Sequence, residues 1–348
     1  MLRISLIGFG GVGKAFMELL YNKEAFLRKE GLSLQINYIL GSKGGIYDPK
    51  GIDHRKLFSY LKDGQYIADY PYGGSSDINF ETMMRNGDID IMVEMTPTNK
   101  ETGEPGLTHI RRALKAGIHV ITANKGPILL RYKELNLLAA ENNVQLGIGC
   151  TTGGALPSVN GGLMDMAGAE ILSIEGVLNG TTNYILKLME EKGITYGDAL
   201  KAAQAEGIAE TNPSLDVDGW DTAIKMLILT NVLMNEEKTL KDVTVEGITG
   251  LTPEQVMDAK SKGIRYKLVG RTEKVEDIIT ISVKPELLEA AHPLYGIDGK
   301  NKAVRYTSDT LGDLTLIGGA SGVVTAAASI LRDLINISRG YKFSRIEI

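Results

Sequence analysis

The start of the chain constrains it most. A short apolar run, Ile4 to Ile7, meets Gly8-Phe9-Gly10-Gly11-Val12-Gly13, and apolar residues then recur at helical spacing in Phe16, Leu19 and Leu20. That is a strand, a glycine turn and a helix in order. Gly8 permits the tight turn, Gly10 lets a pyrophosphate approach the backbone, and Gly13 lets the helix pack on the strand. The helix N-terminus then offers unpaired N–H groups and a partial positive charge to phosphates. A lone GxGxxG is a weak signal. Between a strand and a helix, beginning at residue 8, it outweighs the blander alternative of a glycine-rich turn without a ligand.

A second strand, "LSLQINYIL", runs into Gly41-Ser42-Lys43-Gly44. Sites for NAD carry an acid here to accept from the ribose hydroxyls. This chain has a hydroxyl and a cation instead, which suit a 2′-phosphate. NADP is therefore the preferred coenzyme, and NAD remains usable because the pyrophosphate site does not distinguish the two. The alternative is that Ser42 and Lys43 form only a solvated turn.

Further strands alternate with helices: "DIDIMVEMT" to Thr96, the helix "LTHIRRALKAG", "IHVITANK" to Asn124-Lys125, the helix "YKELNLLAAENN", and the strand "VQLGIGC". This βαβ alternation predicts a Rossmann-type doubly wound parallel sheet over residues 1–150, with ligands at the carboxyl ends of the strands. From there the pattern changes to helices followed by strands, which predicts an α+β domain over 151–317. A glycine turn and a long helix close the chain over 318–348 and are expected to pack back on the dinucleotide-binding domain.

Composition agrees and excludes several classes. At 348 residues the chain is too long for one ordinary core. A net charge of −5 argues against a nucleic-acid or anionic-membrane partner. No apolar run reaches the roughly 18 residues of a membrane helix, and no signal peptide is expected before the first strand. The single cysteine, Cys150, excludes an intramolecular disulfide framework, so a cytoplasmic location is expected. His54, His109, His119 and His292 show no ligand spacing, and no metal site is expected.

The stretch "LDVDGWDTAIK" carries the chemistry. Asp218 is placed to cap a helix with Asp221 at its third position, and Asp221 and Lys225 lie four apart on one face, acid first. A capped helix with a surface ion pair accounts for those two aspartates. It leaves Asp216 unexplained, and Glu210 and the only tryptophan, Trp220, stand close by. A lysine held protonated by a carboxylate is also suited to give a proton to an oxygen gaining charge.

The longer stretch "AEGIAETNPSLDVDGWDTAIK" closely resembles the signature of homoserine dehydrogenases. Support comes from "IGFGGVGKAF", "TANKGP", "TTGGALP", "LNGTTNYIL" and the late glycine turn, so the resemblance spans the whole chain. It implies reversible hydride transfer between NADP or NAD and C4 of L-aspartate 4-semialdehyde, giving L-homoserine, in threonine and methionine biosynthesis. Lys225, held by Asp221, would be the proton donor and acceptor. Glu210, Asp216 and Asp221 would bind the amino-acid substrate, and Lys125 would contact substrate or cofactor. Gly10, Gly11, Val12, Thr96 and Gly207 would contact the dinucleotide, with Gly319 closing over it. A homodimer built on the second domain is the implied assembly.

Two features differ from relatives. Many carry a C-terminal regulatory domain or a fused aspartate kinase; neither is expected here, nor is feedback inhibition by such a domain. Some bind a monovalent cation near residues 151–157 with an acid just before. Here Gly149-Cys150 offers none. Two other readings stand beside the resemblance: a different two-domain oxidoreductase of a small amino acid or aldehyde, and a dinucleotide-sensing module without turnover. Asp221 and Lys225 count against the sensor, which needs no proton donor.

Overall fold

The computed structural model describes residues 1–299, 301–319 and 321–344. Position 320 of the late glycine turn and positions 345–348 of the C-terminal segment lie outside them. The chain divides into two compact units, one of residues 1–151 with the stretch from 322 onward, the other of residues 152–321.

The first unit is a sheet of β1 (Leu2–Ile7), β2 (Leu34–Gly41), β3 (Gly44–Tyr47), β4 (Gly74–Ser75), β5 (Ile91–Glu94), β6 (His119–Thr122) and β7 (Leu146–Gly147). Their spatial order is β4-β3-β2-β1-β5-β6-β7. β1, β2, β5, β6 and β7 run parallel, while β3 and β4 turn back antiparallel. Parallel strands covered on both faces are apolar throughout, and Ile4, Leu6, Ile39, Val93, Val120 and Ile121 are fully buried. The helix Gly11–Asn22 adds Phe16 and Met17 to this core. The C-terminal helix Val323–Ser338 packs along it, with Val323 so close that a Cβ on Gly11 would lie 3.0 Å from it.

The chain leaves β1 for β2 on one side and later returns to β5 on the other. The carboxyl ends of β1 and β5 therefore meet at the reversal of strand order, where open α/β sheets hold their ligands. The join is direct, since the Met95 N–H donates to the Ile7 carbonyl at 2.7 Å.

Several boundaries differ from the sequence-based expectation. β5 stops at Glu94, because the Glu94 carboxylate accepts the Thr96 N–H at 3.1 Å and curls the chain out of the sheet. The helix expected to begin near Tyr132 starts at Lys125, capped by Asn124, whose Oδ1 accepts the Gly126 N–H at 3.1 Å. The strand expected through Cys150 ends at Gly147. Beyond it the Gly149 N–H goes to the fully buried Asp333 of the C-terminal helix, at 2.8 Å, instead of to a neighbouring strand.

The second unit is a mostly antiparallel sheet of β8 (Ile171–Val177), β9 (Val243–Val245), β10 (Arg265–Val275), β11 (Ile278–Leu288), β12 (Lys302–Ser308) and β13 (Asp313–Gly318). The order is β13-β12-β8-β10-β11-β9, with β9 alone parallel to its neighbour. The helix Trp220–Leu233 lies on one face, where Gly270 makes room for it. A Cβ there would come within 2.3 Å of Met226. The hydroxyls of Thr230 and Thr272 pair across this contact at 2.7 Å. Side chains alternate along a strand, so Val177, Val269 and Ala303 fall on the other face, in a cluster with Leu288, Leu294 and Ile297. The molecule is thus an α/β unit with an α+β unit. No helix among the described residues is long and apolar enough to cross a membrane.

Candidate active site

Three elements of the second unit converge on one point. β8 ends at Val177, and Asn179 then caps the helix Gly180–Lys192, its Oδ1 accepting the Thr182 N–H at 2.9 Å. The Asn179 amide donates to Asp216 Oδ1 at 2.7 Å and to Asp221 Oδ2 at 2.9 Å. Lys225 donates to the Leu178 carbonyl at 2.8 Å and to Asp221 Oδ2 at 2.5 Å. Asp221 is 6% exposed and Lys225 8%.

The expected surface ion pair is therefore buried, at the head of a helix whose residues 221–230 are all buried. Desolvating two charges costs several kcal/mol per ion, and apolar residues of the same volume are often as stable or better. Such a pair is poor evidence for a stabilising role. An ammonium has three N–H donors. Two are committed to Leu178 and Asp221, and the third meets no partner among the described residues.

Asp218 does not cap this helix. The cap position is Gly219, at φ +89, with no side-chain bond, and Asp218 instead ends the short helix Ser214–Val217. The chain turns sharply between the two helices and needs the left-handed backbone that glycine supplies. Beneath it, the Ile248 N–H donates to the Val217 carbonyl at 2.9 Å, and Gly247 packs directly under Asp218. Asp216, half-buried, faces Asn179.

The other expected site residues are placed as follows. Glu210 is exposed, and among the described residues no bond joins its carboxylate to Asp216, Asp221 or Lys225. Its backbone carbonyl accepts from Gln204 at 3.1 Å. Gly207 ends the helix Tyr196–Ala205 with φ +67. Gly319, at φ +72, lies so close to Leu156 that a Cβ would come within 2.3 Å of its nitrogen. In the first unit, Lys125 is half-buried at the head of its helix. Thr96 bonds through its hydroxyl to the fully buried Glu94, which also accepts from Thr122 Oγ1 at 3.2 Å. Asn124 reaches Thr96 Oγ1 at 3.2 Å, so one buried carboxylate organises the ends of β5 and β6.

The glycine turn fits a dinucleotide. Gly8 has φ +93, and a Cβ would strike the Met95 carbonyl at 2.7 Å. A Cβ on Gly13 would strike the Gly8 carbonyl at 2.5 Å, the close helix–strand packing expected of that position. At Gly10 a Cβ would meet nothing within 4 Å, and the helix that follows has no side-chain cap. Exposed backbone and open space at Gly10, with uncapped N–H groups at the start of the helix Gly11–Asn22, are what a pyrophosphate requires. Ser42 and Lys43 form the two-residue turn of a hairpin, since Gly41 pairs with Gly44. The Lys43 ammonium sits 4.2 Å from the centre of the exposed Tyr66 ring. The Gly8 N–H donates to the Leu40 carbonyl at 2.9 Å, so this hairpin adjoins the glycine turn.

A doubly wound sheet with an open glycine turn, together with a buried lysine–aspartate pair, defines the class of nicotinamide-dependent oxidoreductases. The homoserine dehydrogenase family model matches residues 157–335. The homoserine dehydrogenase of Methanocaldococcus jannaschii is 39% identical over 97% of this chain and 99% of its own. The NAD(+)-dependent homoserine dehydrogenase of Pseudomonas canavaninivorans is 36% identical over 96% of each. A crystal structure from Archaeoglobus fulgidus superposes with a TM-score of 0.86 at 33% identity, covering 97% of this chain and 99% of the other. A hyperthermophilic archaeal homoserine dehydrogenase in complex with NADPH gives 0.83 at 26% identity, covering 99% of both. The chain belongs to the homoserine dehydrogenase family, whose members are NAD(P)-dependent oxidoreductases acting on a CH–OH group.

Proposed function

We propose that this chain carries out its family's reaction, the interconversion of L-homoserine and L-aspartate 4-semialdehyde, with Lys225 as the proton-transferring residue. The observation that carries this assignment is the buried Lys225, held by Asp221 and the Leu178 carbonyl with one N–H left over. In homoserine oxidation, neutral Lys225 takes the proton of the C4 hydroxyl. Asp221 stabilises the ammonium that forms, and in the reverse direction that ammonium returns the proton to the carbonyl oxygen. A nicotinamide coenzyme held at the glycine turn Gly8–Gly13 would supply or take up the hydride at C4. Asp216 and Glu210 would hold the substrate ammonium, and Lys125 would meet the substrate carboxylate or the cofactor. Gly8, Gly10, Gly11, Val12, Gly13, Thr96, Gly207 and Gly319 would line the dinucleotide site.

NADP is the preferred coenzyme in this reading, supported by Ser42 and Lys43 in place of an acid after β2. Relatives bear on the point in both directions, one being NAD(+)-dependent and another bound to NADPH. A reducing, cytoplasmic setting is supported by the lone buried thiol of Cys150. Homodimerisation is supported by the outer face of the second sheet. There Glu175 pairs with Arg271 and Arg305, and the register sets the exposed Val275, Ile278 and Ile317 on the same face. Sedimentation equilibrium giving a monomer under assay conditions would remove that part.

The test of the function is spectrophotometric: reduction of NADP or NAD by the chain with L-homoserine, against a panel of other hydroxy and amino acids. Homoserine should be the best substrate. Turnover of another alcohol with none of homoserine would refute the assignment.

A further inference from the structure

We infer that Asn179 is a positioning residue that fixes the amine-binding carboxylate relative to the proton-transfer pair. The inference rests on the roles proposed above for Asp216, Asp221 and Lys225. Its physical basis is the number of partners Asn179 serves at once.

A primary amide has one oxygen acceptor and two N–H donors. At Asn179 all three are committed. Oδ1 accepts the Thr182 N–H at 2.9 Å, and that bond decides which way the amide faces, because an acceptor is needed at the helix start. Nδ2 is thereby turned toward the two carboxylates, and it reaches Asp216 at 2.7 Å and Asp221 at 2.9 Å. The residue is 5% exposed, so few water molecules compete for these bonds.

Asp216 and Asp221 are like charges that would repel if nothing neutral or cationic stood between them. Lys225 is bonded to Asp221 and not to Asp216. Asn179 bonds both, and it does so without adding charge. It therefore sets the distance between the group proposed to hold the substrate ammonium and the group proposed to exchange the C4 proton. Substrate length is read between those two points. The preceding residue contributes as well: the Leu178 carbonyl takes a second Lys225 N–H at 2.8 Å. Residues 178 and 179 together thus orient lysine and carboxylates from one rigid strand end.

Capping and clamping can be separated by substitution. Aspartate and serine cap helices as well as asparagine does. Asn179→Asp keeps size and cap but presents an acceptor to two carboxylates, and Asn179→Ser keeps the cap with at most one donor. If the clamp matters, Asn179→Asp should lower kcat/KM for homoserine about a hundredfold and Asn179→Ser about tenfold. The KM for the coenzyme should stay within about twofold, and Asn179→Ser should melt close to the unmodified protein.

The serine effect should also depend on Asp216. In an Asp216→Asn background, where the charge is gone, Asn179→Ser should cost much less than it does alone, because neighbours sharing one network are not additive. Unchanged kcat/KM in both single variants would overturn the inference, as would an equal loss from Asn179→Ser in either background. Lys225→Ala, assayed alongside, tests the underlying reading separately. Retained turnover there would refute the proposed chemistry, whereas its loss beside unaffected Asn179 variants would refute only the role of Asn179.

Discussion

Lys225 is an ammonium kept almost out of water in a helix whose neighbouring residues 222–224 and 226–230 are buried and uncharged. Asp221 supplies the countercharge one turn earlier, and a backbone carbonyl supplies the second acceptor. Around this pair the proposed substrate contacts differ in kind, since Asp216 is clamped while the exposed Glu210 carboxylate bonds none of Asp216, Asp221 or Lys225 among the described residues. Asp216→Asn and Glu210→Gln should both raise the KM for homoserine more than that for the coenzyme. A shift confined to the coenzyme KM would assign them to the other ligand. Lys43 makes a narrower case. Its ammonium lies 4.2 Å from the centre of the exposed Tyr66 ring, in the turn that follows β2. A charged hydrogen bond is worth roughly 1.5–3 kcal/mol, so Lys43→Ala should weaken NADP binding about tenfold or more and leave NAD nearly unchanged. Equal losses for both coenzymes, or none, would remove Lys43 from cofactor choice.

Individual elements were legible in the sequence where their signals were local. The glycine turn could be read because Gly8 and Gly13 answer to constraints a few residues away, a positive φ and a helix packed on its own strand. The Asp221–Lys225 pair could be read because four-residue spacing fixes a shared helix face. The part played by Asn179 could not, since its two carboxylates lie 37 and 42 residues downstream. The same holds for Asp333, which reaches back 184 residues to end the sheet near Gly149. The start of the helix Trp220–Leu233 was misplaced because a glycine in the left-handed region outdid a well-spaced aspartate as the entry. A further element-level prediction concerns the helix His54–Tyr60. His54 stacks between Tyr21 at 4.2 Å and Phe58 at 4.4 Å, and neither ring nitrogen finds a hydrogen-bond partner among the described residues. Burial pushes this imidazole below its ordinary value of about 6.5. The unfolded chain therefore binds the proton more readily, so the contribution of His54 to stability is complete above that value and is lost as pH falls through the lower folded value. His54→Phe preserves the stack and removes the titration, so melting temperature should fall less steeply on acidification from neutral pH. An unchanged slope would show that His54 is not the titrating group.

At the scale of the whole molecule, the two units divide the work by architecture. A parallel sheet gathers the ends of β1, β2, β5 and β6 on one edge, which suits a long anionic cofactor bound by backbone. An antiparallel sheet with a buried helix on one face gives a rigid base on which a costly charged pair can be held without shifting. The proposed chemistry depends on the buried Lys225, and that dependence gives one decisive measurement. Lys225→Ala should lower kcat for homoserine oxidation by roughly two to four orders of magnitude, the usual worth of general acid–base catalysis. Direct titration should show coenzyme affinity little changed. A Lys225→Ala protein that keeps most of its kcat would contradict the mechanism, because the one buried ammonium described at this site would then have no part in moving the proton.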